Sequence, residues 1–264
     1  MKNIESYTYQ LEVLSPVILS PREQSAFYLK LGDFTKENIA IHKALKNPEK
    51  VNIIYPFYQY GQYEKYQPNE SNYYIPGSSL KGAILSCLEE EKKYIRNDMI
   101  FDDIQMKSSD LQLRNLYKIQ HKHDKDKIIY DIFFPNVAIE MLKKGSIHHG
   151  KLFYNKRTNE SLVPILKKAH NNSKEKLKQF SSQIEERYNS IEISSKIQKS
   201  IDNLQISDFQ ENTFLLILGG YKGLFLSKNF AESKSNIKNI ESAIYCDADN
   251  EYLPYGLVKF TLLG

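Results

Sequence analysis

The stretch YYIPGSSLKGAILSCL, residues 73–88, is the part of the sequence from which the fold is most readily inferred. Pro76 and Gly77 separate a tyrosine-rich segment from a run of apolar residues at helical spacing. These fall at i, i+3, i+4, i+7, i+8 and i+14 and are Leu80, Ala83, Ile84, Cys87, Leu88 and Tyr94. The pattern predicts an amphipathic helix, with Ser78 or Ser79 as its N-cap.

The residues that open this helix also suit an anion. A helix N-terminus presents unpaired N–H groups and a partial positive charge. Ser78 and Ser79 add hydroxyl donors, Lys81 adds a mobile charge, and Gly82 follows it in the motif. The spacing is not that of a P-loop. Two interpretations remain open, simple capping and phosphate binding.

A second glycine cluster, LGGYKGL at residues 218–224, directly follows the apolar run TFLLIL, which predicts a buried strand. Its glycines and lysine are Gly219, Gly220, Lys222 and Gly223. Glycines at this spacing permit positive φ angles and let the backbone approach a ligand closely. A tight turn that requires glycine explains the cluster equally well.

Composition limits the class of protein. With 264 residues, 41% of them hydrophobic, the chain suits one large domain or two small ones packed together. No run of eighteen apolar residues occurs, the N-terminus lacks the features of a signal peptide, and two cysteines make no disulfide framework. We therefore expect a cytoplasmic protein. A net charge of +4 is too small to establish nucleic-acid binding by itself.

The remaining periodicity predicts an α+β protein. Residues 7–14 alternate like a strand, residues 173–204 have helical spacing, and the C-terminal LVKFTLLG reads as another strand. The runs FFPNVAIEML and SIHHGKLFYN predict a hairpin around Lys143, Lys144 and Gly145. This order favours antiparallel sheet with helices on one face over a doubly wound parallel sheet.

The side chains that bind metals or catalyse hydrolysis give no clear site. His121, His123, Asp124 and Asp126 are more typical of a solvated loop than of a metal centre, and His148 and His149 point to opposite faces of a strand. The pairs Asp102–Asp103 and Asp247/Asp249 are explained by loop polarity. The sequence therefore predicts no catalytic residue, metal or cofactor. The tyrosines of residues 55–74 favour an aromatic loop folded onto its own domain over a base-stacking surface.

Taken together, YIPGSSLKGAI, LGGYKG and the terminal LPYGLVKFTLL resemble the RAMP superfamily of CRISPR-associated proteins. Within it, the chain is most similar to subunit five of the Csm effector complex of type III-A systems. LSPVILSP, MIFDDIQMKSSDL and FFPNVAIEMLKKGSIHHGKLFY extend the resemblance over most of the chain. One departure is Tyr221, which stands where small residues are common in the family's glycine loop.

The resemblance implies ferredoxin-like, RRM-type modules: an N-terminal module at residues 1–158, and a helical and strand portion at residues 159–264 that carries the glycine loop. It also implies a non-catalytic, antiviral subunit that caps the 3′ end of the guide RNA and supports its maturation. The partners would be this RNA, the backbone RAMP subunit, other Csm subunits and host nucleases that trim the RNA, with no membrane. The implied RNA contacts are Ser78, Ser79, Lys81, Gly82, Gly219, Gly220, Lys222, Gly223 and Arg22.

Two rival interpretations stay open. A RAMP-type endoribonuclease that cuts CRISPR precursor RNA also has ferredoxin-like modules and a glycine-rich loop, but that loop lies near its C-terminus. Here the richest loop, residues 219–223, lies well before the end of the chain. The other rival is a different RAMP subunit of a type III complex, such as the one that grips the 5′ handle.

Overall fold

The computed structural model describes residues 4–21, 26–88, 95–122, 127–156, 161–188, 192–227, 244–247 and 252–263. The strands are β1 (Ile4–Val13), β2 (Tyr28–Leu29), β3 (Ile53–Tyr55), β4 (Gln59–Tyr60), β5 (Asn72–Ile75), β6 (Met99–Phe101), β7 (Ile104–Met106), β8 (Leu111–Arg114), β9 (Tyr117–Lys122), β10 (Lys127–Ile132), β11 (Val137–Leu142), β12 (Ile147–Asn155), β13 (Thr213–Ile217), β14 (Ile244–Tyr245) and β15 (Leu257–Leu262). The helices are α1 (Lys36–Ala40), α2 (Gly77–Leu85), α3 (Leu162–Tyr188), α4 (Glu192–Asp202) and α5 (Gly223–Ser227). Across these described ranges, no helix is both long and apolar enough to cross a membrane.

The central sheet has the strand order β13-β15-β1-β12-β6, and all its neighbours are antiparallel. In chain order, and with other elements inserted between several of them, β1, α2, β6, β12, α3 and β15 form a βαββαβ unit. Their strands lie side by side as fourth, first, third and second, which is the ferredoxin-like arrangement. Strand β13 extends the sheet beyond β15. The predicted α+β class with antiparallel sheets is confirmed.

One face of this sheet carries the main core. Along β1, the side chains of Tyr9, Leu11 and Val13 are buried while their neighbours are partly exposed, as the alternating sequence predicts. Helix α2 and the first turns of α3 pack against this face. Burying each large apolar side chain here stabilises the fold by about 1.5–3 kcal/mol.

Helix α3 then passes the edge of the sheet. His170, in the middle of α3, accepts a hydrogen bond at Nδ1 from the Leu215 backbone N–H of β13, at 2.8 Å. Burial lowers the pKa of His170, which favours the neutral ring that this bond requires. Beyond His170, Phe180 and Ile184 join a second core with Ile217, separate from the main core. His170 thus pairs one backbone N–H of the edge strand β13, a group that a strand of another chain would otherwise bind.

Strands between β1 and α2, strands between β6 and β12, and β14 build further sheets, with orders β2-β3-β11-β8, β10-β9-β14 and β4-β5-β7. The predicted hairpin is wrong, because β11 pairs with β3 and β8 whereas β12 pairs with β1 and β6. Every residue of β11 is buried, while β12 alternates. A strand buried on both faces and a strand buried on one face need different neighbours.

Other boundaries also differ from expectation. The helical pattern of residues 173–204 fits one long helix or a broken pair, and the structure has the pair, α3 and α4; the first helix begins earlier than predicted, at Leu162. Short strands β4 and β5 occur within the tyrosine-rich stretch. There Tyr66 and Tyr73 are almost fully buried, so these rings pack onto their own domain. Strands from both sides of residue 158 share the central sheet, and the domain division there stays a prediction.

A buried carboxylate holds the tyrosine-rich stretch to β11. Glu140 accepts hydrogen bonds from the Phe57 N–H at 2.9 Å and from the Tyr73 hydroxyl at 2.8 Å. Its side chain lies in the interior, and burial raises the pKa of Glu140 to about 7 although these hydrogen bonds oppose the shift. Protonation of Glu140 is therefore coupled to folding.

This coupling has a predictable sign. Because the pKa of Glu140 is about 7 in the folded chain against an ordinary 4.5, the folded state holds the proton more tightly. Stability from this group is present below pH 4.5, and raising the pH through 7 removes on the order of 3 kcal/mol of unfolding free energy. Denaturant titrations of wild type and Glu140→Gln at pH 5 and pH 8 measure this term. We expect the variant to lose it, whereas Glu185→Gln, exposed on α3, should keep the wild-type pH dependence. Equal pH dependence in wild type and Glu140→Gln would contradict the assignment.

Candidate nucleic-acid interface

The two glycine motifs meet in one groove with a volume of about 690 Å³. Helix α2 forms one wall, α3 another, and residues 219–222 a third, with residues 18–21 beside them. The predicted contacts that line it are Ser79, Gly82, Gly219, Gly220 and Lys222. Segments far apart in the sequence, each predicted separately to approach a ligand, thus share one concave surface.

The N-terminus of α2 is occupied by the protein's own carboxylate. The Gly77 N–H donates to Asp103 Oδ1 at 2.8 Å, and the N-cap residue is Pro76. The prediction that Ser78 or Ser79 caps the helix is wrong. The negative charge of Asp103 interacts favourably with the positive end of the helix dipole, so no serine hydroxyl is needed there. Phosphate binding at this helix end is correspondingly disfavoured.

Gly77 is required by packing rather than by a ligand. A Cβ atom at this position would lie 2.2 Å from the Phe101 backbone oxygen. No side chain fits at that distance unless β6 and α2 separate. By contrast, a Cβ atom at Gly82 would have nothing within 4 Å.

The second glycine motif combines a turn with an open backbone. Gly219 has φ +86°, and a Cβ atom there would lie 2.3 Å from the Ile18 backbone oxygen. Gly220 donates its N–H to that same oxygen at 2.8 Å, yet its own Cβ position is nearly open. The tight-turn interpretation therefore holds at Gly219, while Gly220 leaves the backbone accessible from the groove.

The other predicted contacts lie elsewhere. Ser78 and Lys81 belong to α2 but do not line the groove, and neither does Gly223, where α5 begins with φ +73°. Burial, and to a lesser degree the charge of Arg96, lowers the pKa of Lys81. Arg22 lies outside the described residues.

Two groove residues on α3 were missed by the sequence analysis. Ser173 and Lys176 are 1% and 6% exposed, and both line the groove. They occupy positions in the apolar stripe of α3 between Ala169 and Phe180. The sequence does contain a signal for them, because polar residues at core-facing positions of an amphipathic helix indicate a functional role. Among the described residues, the Ser173 hydroxyl has no hydrogen-bond partner, and neither has that of Ser20 in the same groove.

The groove is electrostatically positive. Lys222 donates from Nζ to the Ile217 carbonyl at 3.2 Å, and burial, then the charge of Lys176, lowers its pKa to about 8. Within the described part of the chain, neither lysine forms an ion pair and the groove lining includes no carboxylate. Lys176 is buried and Lys222 is partly buried, and removing ammonium groups from water without a counter-charge is costly. A bound anion would relieve that cost.

Of the histidine and aspartate residues weighed as metal ligands or catalysts, some have structural roles and the others lie outside the described residues. His148 is buried and His149 exposed, so they do lie on opposite faces. Asp247 pairs with the buried Arg114 at 2.7 Å. Asp249 and the side chains of residues 121–126 are not described. Among the described side chains, no group of three histidines, cysteines or carboxylates is arranged to hold a metal.

A second depression, of about 480 Å³, lies over α4. Its basic residues include Lys196 and Lys199, with Tyr252 beside them. Lys196 already pairs with Glu192 at 2.7 Å. None of the predicted contacts lines this depression, so the larger groove is the better candidate interface.

Comparisons with known proteins find a similar structure but no similar sequence. No protein-family model matches the chain, and no curated protein has significant sequence similarity to it. Among solved structures, a chain of the cryo-EM structure of a Csm-crRNA-target RNA ternary complex in a type III-A CRISPR-Cas system is similar, with a TM-score of 0.50 and 13% identity. The match covers 98% of this chain and 100% of that chain. At this identity the likeness establishes a shared fold.

The two α2 glycines should respond oppositely to alanine. Gly77→Ala forces a methyl group into the Phe101 backbone and should lower the unfolding free energy by about 1–3 kcal/mol. Gly82→Ala, at an open helical position, should raise it by up to about 1 kcal/mol. Urea denaturation of both variants measures the difference. A neutral Gly77→Ala would show that the close contact between α2 and β6 does not constrain the fold.

Proposed function

We propose that this chain is an RNA-binding subunit of a Csm-type, type III-A CRISPR effector complex that caps the 3′ end of the guide RNA without cleaving it. The observation that carries the proposal is the groove in which two lysines, the buried Lys176 and the partly buried Lys222, have no counter-charge among the described residues. The fold shared with a chain of a Csm-crRNA-target RNA complex supports the choice of RNA as the anion.

The groove suits a phosphodiester. Its ammonium groups would neutralise the phosphate charge, and the hydroxyls of Ser20 and Ser173, which have no partner among the described residues, would donate to phosphate oxygens. The exposed backbone at Gly220 allows the sugar-phosphate chain to approach closely. Contacts of this kind position RNA without reading its sequence. A cap for guides of arbitrary sequence needs that property.

The residues in the groove favour binding over cleavage. Metal-independent RNA cleavage needs a general acid and a general base, most often histidine. The described lining residues include no histidine and no carboxylate, so acid–base chemistry there would fall to lysine, tyrosine or Cys87. This supports a non-catalytic role. A RAMP-type endoribonuclease, or another RNA-gripping RAMP subunit, is the alternative that the experiment below separates.

The proposed partners follow from that role. The guide RNA would occupy the groove, and the backbone RAMP subunit and other Csm subunits would hold this chain at the end of the assembly. Trimming of the guide up to the cap would fall to host nucleases. In a co-expressed assembly, removing this chain should leave guide RNAs with heterogeneous 3′ ends, as read by sequencing the bound RNA.

Replacing the buried lysine of α3 should separate binding from folding. Lys176→Met should weaken binding of a 5′-labelled guide RNA about tenfold and reduce its salt dependence by about 0.7 per lost phosphate contact. Its thermal midpoint should stay level or rise, because an unpaired buried charge is removed. Lys178→Ala, exposed on the same helix, is the matched control and should bind nearly as wild type. Unchanged binding in Lys176→Met would contradict the site, and specific cutting of the RNA on a denaturing gel would overturn the non-catalytic role.

The pH dependence of binding tests Lys222 separately. Since its pKa is about 8 in the free protein, the charged form that attracts phosphate is lost between pH 7 and pH 9. Affinity for RNA should therefore fall over this range by up to about tenfold. An RNA of adenines and cytosines, whose bases do not ionise there, keeps the ligand constant. Lys222→Arg, which stays charged, should bind equally at both pH values. A pH dependence that persists in this variant would assign the titration to another group.

A further inference from the structure

Tyr221 adopts a backbone conformation that tyrosine rarely takes. Its φ is +52°, and its side chain is 39% exposed beside the groove. For a residue with a Cβ atom, this left-handed region costs about 1–2 kcal/mol relative to the right-handed one. Glycine would avoid that cost, and its neighbour in the sequence, Gly220, is one. Strain of this kind concentrates at ligand-binding sites.

The ring belongs to an aromatic part of the same groove. Tyr55 and Tyr58 also line it and are half-buried. The ring of Tyr221 meets that of Tyr245 edge to face, with centroids 6.0 Å apart and planes at 77°. Tyr245 lies in β14, which pairs with β9. The exposed ring is therefore supported from the body of the protein rather than lying loose on the surface.

We propose that Tyr221 is a stacking platform for a nucleobase, so that the groove accepts one unstacked nucleotide, with its phosphate at Lys176 and Lys222 and its base on the tyrosine ring. This inference rests on the proposed function, since it takes RNA as the ligand. Ammonium groups next to exposed aromatic rings are the combination that binds single-stranded nucleic acid. Every base has a π-face, so a stacking contact tolerates any sequence.

The arrangement also explains why the strain is retained. The turn at residues 219–222 places Lys222 and Tyr221 on adjacent positions of the groove lining. The lysine reaches back to the Ile217 carbonyl, while the neighbouring ring stays partly exposed. The phosphate and the base of one nucleotide are likewise joined through a single sugar. A single short turn thus supplies both contacts.

The chain contains no tryptophan, which permits a direct test. In Tyr221→Trp, a sole indole reports on this position. Single-stranded RNA should quench its fluorescence, whereas inorganic polyphosphate, which has charge but no bases, should not. Quenching by polyphosphate to the same extent would mean that the ring senses only an anion, and would overturn the stacking role.

Affinity and stability should change in opposite directions on removal of the ring. Tyr221→Gly should weaken RNA binding about tenfold or more while its thermal midpoint stays level or rises, because the strained φ is relieved. Tyr221→Phe, which keeps the ring, should recover most of the affinity. Tyr60→Ala removes an exposed tyrosine that does not line the groove and should bind as wild type.

The outcomes distinguish this inference from the function beneath it. If wild type binds RNA and Tyr221→Gly binds equally well, the stacking role is wrong and the phosphate site stands. A wild-type chain that binds no RNA, alone or in the co-expressed assembly, would remove both. A loss of affinity in Tyr221→Gly together with base-dependent quenching would establish the platform.

Discussion

The groove depends on backbone segments that meet without side chains between them. Gly219 lies against the Ile18 carbonyl so closely that a Cβ atom would be 2.3 Å away, and Gly220 donates to the same oxygen. Leu218, the residue before Gly219, lies equally close to Gly256, where a Cβ atom would be 2.2 Å from the Leu218 backbone oxygen. These contacts hold three backbone segments together: the loop at Ile18, the turn at residues 219–222, and Gly256 just before β15. Since β15 and β1 are neighbours in the central sheet, the groove wall is anchored to the most extensively paired part of the molecule.

Buried charge is treated in two ways in this protein, and the contrast identifies the site. Arg114 and Asp247 are both buried and pair at 2.7 Å, so the charges compensate each other within the fold. Glu140 accepts hydrogen bonds from the Phe57 N–H and the Tyr73 hydroxyl, and burial raises its pKa, which favours the neutral carboxyl. Lys176 and Lys222 lie together in the groove with no carboxylate among its described lining residues. The first two arrangements are complete, whereas the lysines gain most from an external anion.

The fold and the groove give different information about function. A ferredoxin-like sheet supports many unrelated activities, so likeness to a chain of an RNA-guided complex at 13% identity does not by itself assign a role. The groove supplies charge, hydroxyl donors and aromatic rings in one place, but these features would suit several anions. The proposed RNA ligand would supply the phosphate charge that the groove lysines lack. In the proposed stacking role, Tyr221 would favour a ligand with a planar base over a simple phosphate.

The sequence by itself determined the elements whose pattern is local: strand β1, the apolar face of α2, strands β13 and β15, the glycine turn at Gly219, and the α+β class. Tertiary structure alone decided that Asp103 caps α2, that β11 and β12 belong to different sheets, and that Ser173 and Lys176 reach the same groove as Lys222. The physical reason is that these features depend on contacts between residues far apart in the sequence. Side-chain periodicity reports the environment of neighbouring residues, because it follows from 3.6-residue turns or alternating strand faces. Which segments pair, and which polar side chain meets which helix end, depends on contacts between residues far apart in the chain, and no local pattern records them.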